Sequence, residues 1–228
     1  MKTMAWAGLA AAAMMLSGCI RESRIALPSD LAVTSETLEL TGMGLGRRGD
    51  FLLAGTEGRF TRGADQLSFH NAFLVRNSGA GSFSYAGLEG ACRYRENAIN
   101  VGPVSVDARP FAYRCFFGKD GAPVGELVIE EETGTVGSML SKRGRRGFLL
   151  FDGVRYEVTS IHRDQNGSLA AATPLGYRFE ADGRAVGAVD LNGTNKTLFA
   201  PRDRRAREAV FAGGLALSVL WDPAVINP

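Results

Sequence analysis

Tyr177-Arg178-Phe179-Glu180-Ala181-Asp182-Gly183-Arg184-Ala185-Val186-Gly187-Ala188-Val189-Asp190-Leu191 is the stretch that decides the fold class. Apolar and polar residues alternate from Tyr177 to Glu180, the period of a strand with one buried face. Asp182-Gly183 suits the left-handed backbone of a two-residue turn, and residues 186–191 return as a second strand, so the stretch reads as a β-hairpin. The same grammar recurs elsewhere. Arg155-Tyr156-Glu157-Val158-Thr159 alternates after Asp152-Gly153, and residues 111–117 pair with 124–129 across Lys119-Asp120-Gly121. Roughly a dozen such segments lie between Leu38 and Ala200, at the short spacing of an all-β barrel or sandwich. Glycine, at 29 of 228 residues, supplies many tight turns, and no long Pro or Ser tract points to disorder.

Two internal similarities accompany the hairpins. Gly46-Arg47-Arg48-Gly49-Asp50-Phe51-Leu52-Leu53 recurs, one residue shorter, as Gly144-Arg145-Arg146-Gly147-Phe148-Leu149-Leu150. Tyr113-Arg114 leading to Asp120-Gly121 and Val124-Gly125 echoes Tyr177-Arg178 leading to Asp182-Gly183 and Val186-Gly187. Repeated hairpins account for both, and a duplicated half-barrel is the alternative. After Ala200 the pattern changes. Asp203-Arg204-Arg205-Ala206-Arg207-Glu208 offers an N-cap and polar first turns to residues 209–221, which are apolar except for Ser218. A helix over 203–221 that is apolar on all sides has to be buried on all sides. Its apolar part covers roughly 20 Å, too short to span a bilayer. Gly213-Gly214 weakens it in isolation and lets surrounding backbone come close, and Asp222-Pro223 stops it.

Hairpins of this kind followed by one apolar C-terminal helix resemble the tubby-like fold of tubby C-terminal domains, LURP-one-related proteins and scramblases. The residues carrying the likeness are 113–127, 151–159, 177–191 and 209–222. The resemblance implies a mainly β domain over 37–228, an antiparallel β-barrel of about twelve strands with one apolar C-terminal helix, 203–221, as its plug. The phosphoinositide-binding residues of tubby have no counterpart in this sequence, so that activity is not implied.

Upstream, Met1-Lys2 gives a positive start, residues 4–15 a short alanine-rich apolar run, and Leu16-Ser17-Gly18 small residues ahead of Cys19. The run is too short for a stable transmembrane helix. The segment resembles the lipobox signal of bacterial lipoproteins. That resemblance implies a signal peptide over 1–18 and a Cys19 that receives a diacylglyceryl group on its thiol and acylation on its freed amine. Ile20 stands where an Asp retains such proteins at the inner membrane of enteric bacteria, which implies an outer-membrane address facing the periplasm. An ordinary secretory signal with an incidental cysteine is the alternative. Multiple acyl chains anchor stably, at about 0.8 kcal/mol per buried methylene. Residues 19–36, with Pro28-Ser29-Asp30 as a turn signal, read as the lipidated N-terminus and a tether.

With Cys19 assigned to lipid, Cys92 and Cys115 remain, an even pair that reads as a disulfide in an exported chain. Closing that loop stabilises the fold by about 3 kcal/mol on the chain-entropy model. A pair of buried free thiols is the competing reading, and metal binding is disfavoured because neither cysteine has a second ligand at short spacing. The formal charge is +2 for the whole chain, and loss of Lys2 with residues 1–18 lowers it to +1. Opposite charges are interspersed, so no nucleic-acid partner is expected.

Catalytic signals are thin. His70 and His162, the only histidines, sit near strand material without companion ligands, so structural or surface roles are expected for both. No Gly-x-Ser-x-Gly elbow, His-Glu-x-x-His or phosphate loop occurs in the sequence. Glu130-Glu131-Glu132 invites an acid/base or calcium reading, but neighbouring carboxylates on a strand face alternate ways and no oxygen-ligand loop accompanies them, so a solvated edge is expected. No catalytic residue, cofactor or metal is therefore assigned.

Lys142, Arg143, Arg145 and Arg146 form a basic hairpin tip, and Arg202, Arg204, Arg205 and Arg207 cluster at the foot of the helix. The tip residues are candidates for contact with anionic lipid or lipopolysaccharide headgroups, at roughly 1 kcal/mol per basic residue. The competing role for both clusters is to keep a strand edge soluble and to pair with nearby acids. Three function classes follow. The first is a lipid-anchored, non-enzymatic cell-envelope protein acting as a binding or assembly module for an envelope protein or anionic lipid. The second is a carrier of an apolar ligand in a lipocalin-like barrel, whose cavity a central helix would fill. The third is a hydrolase with an unfamiliar site.

Overall fold

The computed structural model describes residues 24–69, 74–101, 104–132, 144–167 and 171–220. Its strands are β1 (Glu36–Thr41), β2 (Arg48–Leu53), β3 (Thr56–Phe69), β4 (Leu74–Tyr85), β5 (Leu88–Val101), β6 (Val104–Lys119), β7 (Ala122–Glu131), β8 (Arg145–Phe151), β9 (Val154–Ile161), β10 (Gly176–Ala181), β11 (Arg184–Asp190) and β12 (Lys196–Ala200). These twelve antiparallel strands form one closed barrel, each beside its chain neighbours, with Leu38 of β1 opposite Leu198 of β12 at the seam. Closure removes the free edges a sandwich would keep.

Five hairpins turn on two residues: Ala54-Gly55, Ala86-Gly87, Asp120-Gly121, Asp152-Gly153 and Asp182-Gly183. In each, the first residue has φ of 48–50° and the glycine 72–82°. Positive φ at both central residues defines the type I′ turn, whose twist matches the flanking strands. Because these turns occupy alternate connections, they all lie at one end of the barrel, the turn end. The longer connections, 42–47, 162–175 and 191–195, lie at the other, the loop end. Strand length measured from the turn end then tells how far each strand reaches. β3 to β6 run 12–16 residues, against 5–8 for β8 to β12. The four long strands therefore continue past the loop end as a projecting antiparallel sheet.

The sequence echoes have separate causes. In β6–β7 the register jumps from Phe117↔Gly125 to Gly118↔Pro123, and in β10–β11 from Phe179↔Gly187 to Glu180↔Ala185. Val124 and Val186 are thus the extra residues of two β-bulges, so Asp-Gly followed by Val-Gly encodes a turn plus a bulge. In the Gly-Arg-Arg-Gly copies the missing residue inverts the pleat: Phe51 is buried, whereas burial in β8 passes to Leu149 and Phe151. Repeated hairpins describe these copies better than a duplicated half-barrel.

The helix α2 (Arg204–Val219) fills the interior, and every residue from Ala209 to Val219 is buried. Asp203 caps it, its carboxylate accepting from the Ala206 N–H at 2.9 Å. Side chains alone fill a barrel of about eight strands, and twelve strands leave room for a helix about 10 Å across. A Cβ on Gly213 would stand 2.6 Å from the Phe179 ring, and one on Gly214 2.9 Å from Leu198. The expected close approach to the helix is thus made by wall side chains, not backbone. Phe211 meets Tyr85 edge-on, Tyr85 stacks on Phe51, and the Tyr113 hydroxyl donates to Ala216 O at 2.5 Å. Burial holds the Tyr113 hydroxyl well above its usual pKa. The helix ends at Val219 with Leu220 extended, ahead of Asp222-Pro223, which lie outside the described residues.

The tether read from residues 19–36 stops sooner than the sequence suggests. Ile25, 2% exposed, and Leu31 of the short helix α1 (Ser29–Thr34), 1% exposed, bury against Ala188 and Phe199 on the outer wall. The Ile25 N–H donates to the Asp190 carboxylate at 3.0 Å, and Ala26 N–H to Arg163 O at 2.9 Å. So few apolar residues carry no periodicity, which hid this packing.

Gly213→Val would force a branched side chain into the Phe179 ring and should lower stability by about 1–3 kcal/mol in guanidinium unfolding. Gly63→Ala, where an added Cβ meets nothing within 4 Å, should change it by under about 0.5 kcal/mol.

Candidate functional site

The loop end gathers polar groups that no sequence motif announces. Arg62 of β3 donates Nε to Gly46 O at 2.8 Å, Nη2 to Gly44 O at 2.6 Å and to Met43 O at 3.1 Å, and Nη1 to Ser218 O at 3.3 Å. One guanidinium thus ties the β1–β2 loop to the C-terminus of α2, where carbonyls lack intrahelical donors and a cation is favoured. Burial lowers its pKa from the usual arginine value. Lys196 holds the β11–β12 loop through Leu191 O at 2.8 Å and Gly193 O at 2.7 Å. Between them opens a cavity of about 520 Å³ lined by Leu45, Arg62, Leu175, Tyr177, Lys196 and Leu217. Leu45 stands 94% exposed at its rim.

Of the basic tip, Lys142 and Arg143 lie outside the described residues. Arg145 corrects the expectation of a surface contact. It is 1% exposed, its guanidinium 3.8 Å from the Phe111 ring centroid and Nη1 3.4 Å from the Tyr177 hydroxyl. The pleat explains this: Arg145 alternates with Gly147, Leu149 and Phe151 on the inner face of β8. Arg146 points outward and pairs with Glu132. Glu131 accepts from the Phe111 N–H at 3.4 Å, and Glu130 is exposed.

The arginines at the foot of the helix are mostly paired. Arg204 meets Glu208 at 3.3 Å, Arg205 meets Asp152 at 3.3 Å, and Arg207 meets Glu36 at 2.6 Å. Lys119 joins Glu208 at 2.6 Å, and its hydrogen bond holds that carboxyl below the usual range.

His70 lies outside the described residues. His162 is 8% exposed, with Nδ1 2.9 Å from Ala171 O and Nε2 2.9 Å from Ser160 Oγ. A carbonyl only accepts, so Nδ1 carries a proton, and in the neutral imidazole the Ser160 hydroxyl donates to Nε2. Ser160 Oγ in turn accepts the Arg145 N–H at 2.9 Å. The chain of bonds closes the loop after β9, and neither Ser160 nor His162 lines the loop-end cavity.

Cys92 and Cys115 form the expected disulfide, directly opposite each other on β5 and β6 and buried inside the barrel. Cys19 lies outside the described residues. Among the described residues no group of three or more His, Cys, Asp or Glu is placed to hold a metal, and no helix is long and apolar enough to cross a membrane. Comparison with protein-family models, curated proteins and solved structures yields no match to this chain.

Arg145→Ala should destabilise the domain by about 2–4 kcal/mol, because it removes a fully buried side chain and its bonds. Arg146→Ala, which loses one exposed ion pair, should cost under about 1 kcal/mol. Guanidinium unfolding of the two variants compares them.

Proposed function

We propose that this is a lipid-anchored, non-enzymatic cell-envelope protein whose barrel serves as a binding or assembly module. The observation that carries the reading is the buried Cys92–Cys115 bridge. Disulfides form in exported proteins, and the bridge uses two of the three cysteines. The third, Cys19, then stands alone behind Leu16-Ser17-Gly18, at the cleavage position of a lipoprotein-like signal. Ile20 favours the outer membrane, facing the periplasm. The closed barrel around one central helix supports the tubby-like resemblance as a matter of architecture.

The filled interior disfavours a lipocalin-like carrier, since α2 and the aromatic wall occupy the space an apolar ligand would need. Among the described residues, the Ser160–His162 contact is the one feature in favour of a hydrolase, a hydroxyl aimed at an imidazole oriented from behind. Its orienting group is a backbone carbonyl, its hydroxyl already accepts a backbone N–H, and it lies off the cavity, so we read it as a loop staple.

The anchor is tested by fatty-acid labelling in a bacterial host. Cys19→Ala should abolish incorporation and release the protein from membranes, whereas label retained by the variant would contradict the reading.

A further inference from the structure

The loop-end cavity lies at the end of the filled barrel and not within it, so α2 forms part of its wall and does not compete for its space. Its walls are aliphatic. Leu175 stands just before β10, Leu191 just after β11, Leu217 and Leu220 at the end of α2, and Leu45 in the β1–β2 loop. Arg62 pins that loop on either side of Leu45, through Gly44 O and Gly46 O, yet leaves the leucine 94% exposed at the rim. An apolar side chain held there by a fixed loop loses its contact with water only when something apolar enters the cavity. The volume, about 520 Å³, is that of a small-molecule site, and the clamped walls make the site before a ligand arrives. A methylene takes about the room of a water molecule, about 30 Å³, so the cavity holds roughly 17 such groups, enough for one aliphatic chain with its head and too few for two chains.

The charge of the lining has one sign. Among the described residues that line the cavity, Arg62 and Lys196 are cations and none is a carboxylate. Their bonds to the carbonyls of Gly44, Gly46, Leu191 and Gly193 fix both side chains in place and add no formal negative charge. The C-terminus of α2 sets about half a negative charge against these two positive ones, so the lining stays electropositive. We propose that the loop-end cavity binds a single-chain anionic amphiphile, its aliphatic chain against Leu45, Leu175, Leu191 and Leu217 and its carboxylate or phosphate head beside Arg62 and Lys196. This site rests on the reading of the barrel as a binding module and gives that module a ligand class, and it needs no anchor. An anchor would supply it all the same. Leu175 also packs against the cluster of Ile25 and Leu31 by which the N-terminal chain joins the wall, and Cys19 lies six residues before Ile25, at most about 22 Å along an extended chain. A leaflet holding Cys19 would therefore present amphiphiles close to the cavity.

Full-length protein mixed with phosphatidylcholine vesicles is exposed to trace photoreactive hexadecanoate, hexadecyl phosphate or hexadecyltrimethylammonium, each with a diazirine on its chain, and the adducts are mapped by mass spectrometry. Adducts of the anionic probes should fall on residues 42–47, 173–175, 191–193 and 217–220 at several times their yield on the turn-end hairpins and several times the yield of the cationic probe. The more efficient of the two anionic probes identifies the head group. Leu45→Glu, at an exposed position, should keep the guanidinium midpoint, lower anionic labelling about two- to fivefold, the effect of one surface charge, and raise cationic labelling. Thr173→Trp, which fills the cavity from a lining position, should abolish labelling there by every probe. Labelling that is absent, equal at both ends of the barrel, or equal for cationic and anionic probes overturns the proposal. So does labelling that appears only when residues 221–228, which follow Leu220, are removed, because the cavity then belongs to the chain's own end. The same spectra score acylation of Cys19, so failure at the cavity with Cys19 acylated leaves the anchored assembly module standing.

Discussion

The fold depends on one constraint, that a closed ring of twelve strands encloses more space than its own side chains can fill. Leaving that space empty would forfeit dispersion contacts around the whole inner wall, and admitting water would expose the aromatic face. The chain meets the constraint with α2, a helix without a polar side over its last eleven residues, Ala209 to Val219. Other features follow from making room for it. Gly213 and Gly214 accept Phe179 and Leu198, Gly187 accepts Val210 at 2.4 Å from where a Cβ would stand, and Tyr113 reaches in to the Ala216 carbonyl. Asp203 and the ion pairs of Arg205 and Arg207 fix where the helix enters, and Arg62 fixes where it leaves.

The outside of the filled barrel is polarised end to end. The turn end is built from five tight hairpins with ion pairs around the foot of the helix. At the loop end lie the first packed residues of the N-terminal chain, the Arg62 and Lys196 clamps, the exposed Leu45 and the projecting strands. The Cys92–Cys115 bridge joins β5 to β6 inside the barrel, where both cysteines belong to the buried core.

How much of this is legible in the sequence depends on whether a feature is local. Asp120-Gly121, Asp152-Gly153 and Asp182-Gly183 announce turns because few residue pairs tolerate positive φ at both positions, and Ala54-Gly55 and Ala86-Gly87 complete the set in a form less easily recognised. The helix is legible because no surface segment is apolar all round. Arg145 is not, since whether it faces in or out hangs on the parity of β8, which one residue reverses. Arg62, Lys196 and Asp190 escape for a related reason: each bonds to backbone brought near by closure of the barrel, and backbone partners leave no trace in residue type. The pairing of Cys92 with Cys115 is readable only through the count of cysteines, because their positions opposite each other depend on the β5–β6 register, which no turn signal in the sequence announces.

The most direct test of the helix as the core is Leu215→Asp, studied by guanidinium unfolding of the full chain. Leu215 is fully buried at the middle of α2, so an uncompensated carboxylate there should cost several kcal/mol, a large part of the stability of a domain, and either collapse the midpoint or abolish the cooperative transition. A midpoint close to that of the wild-type protein would contradict the account, because it would mean that the barrel keeps its stability without a dry apolar helix at its centre.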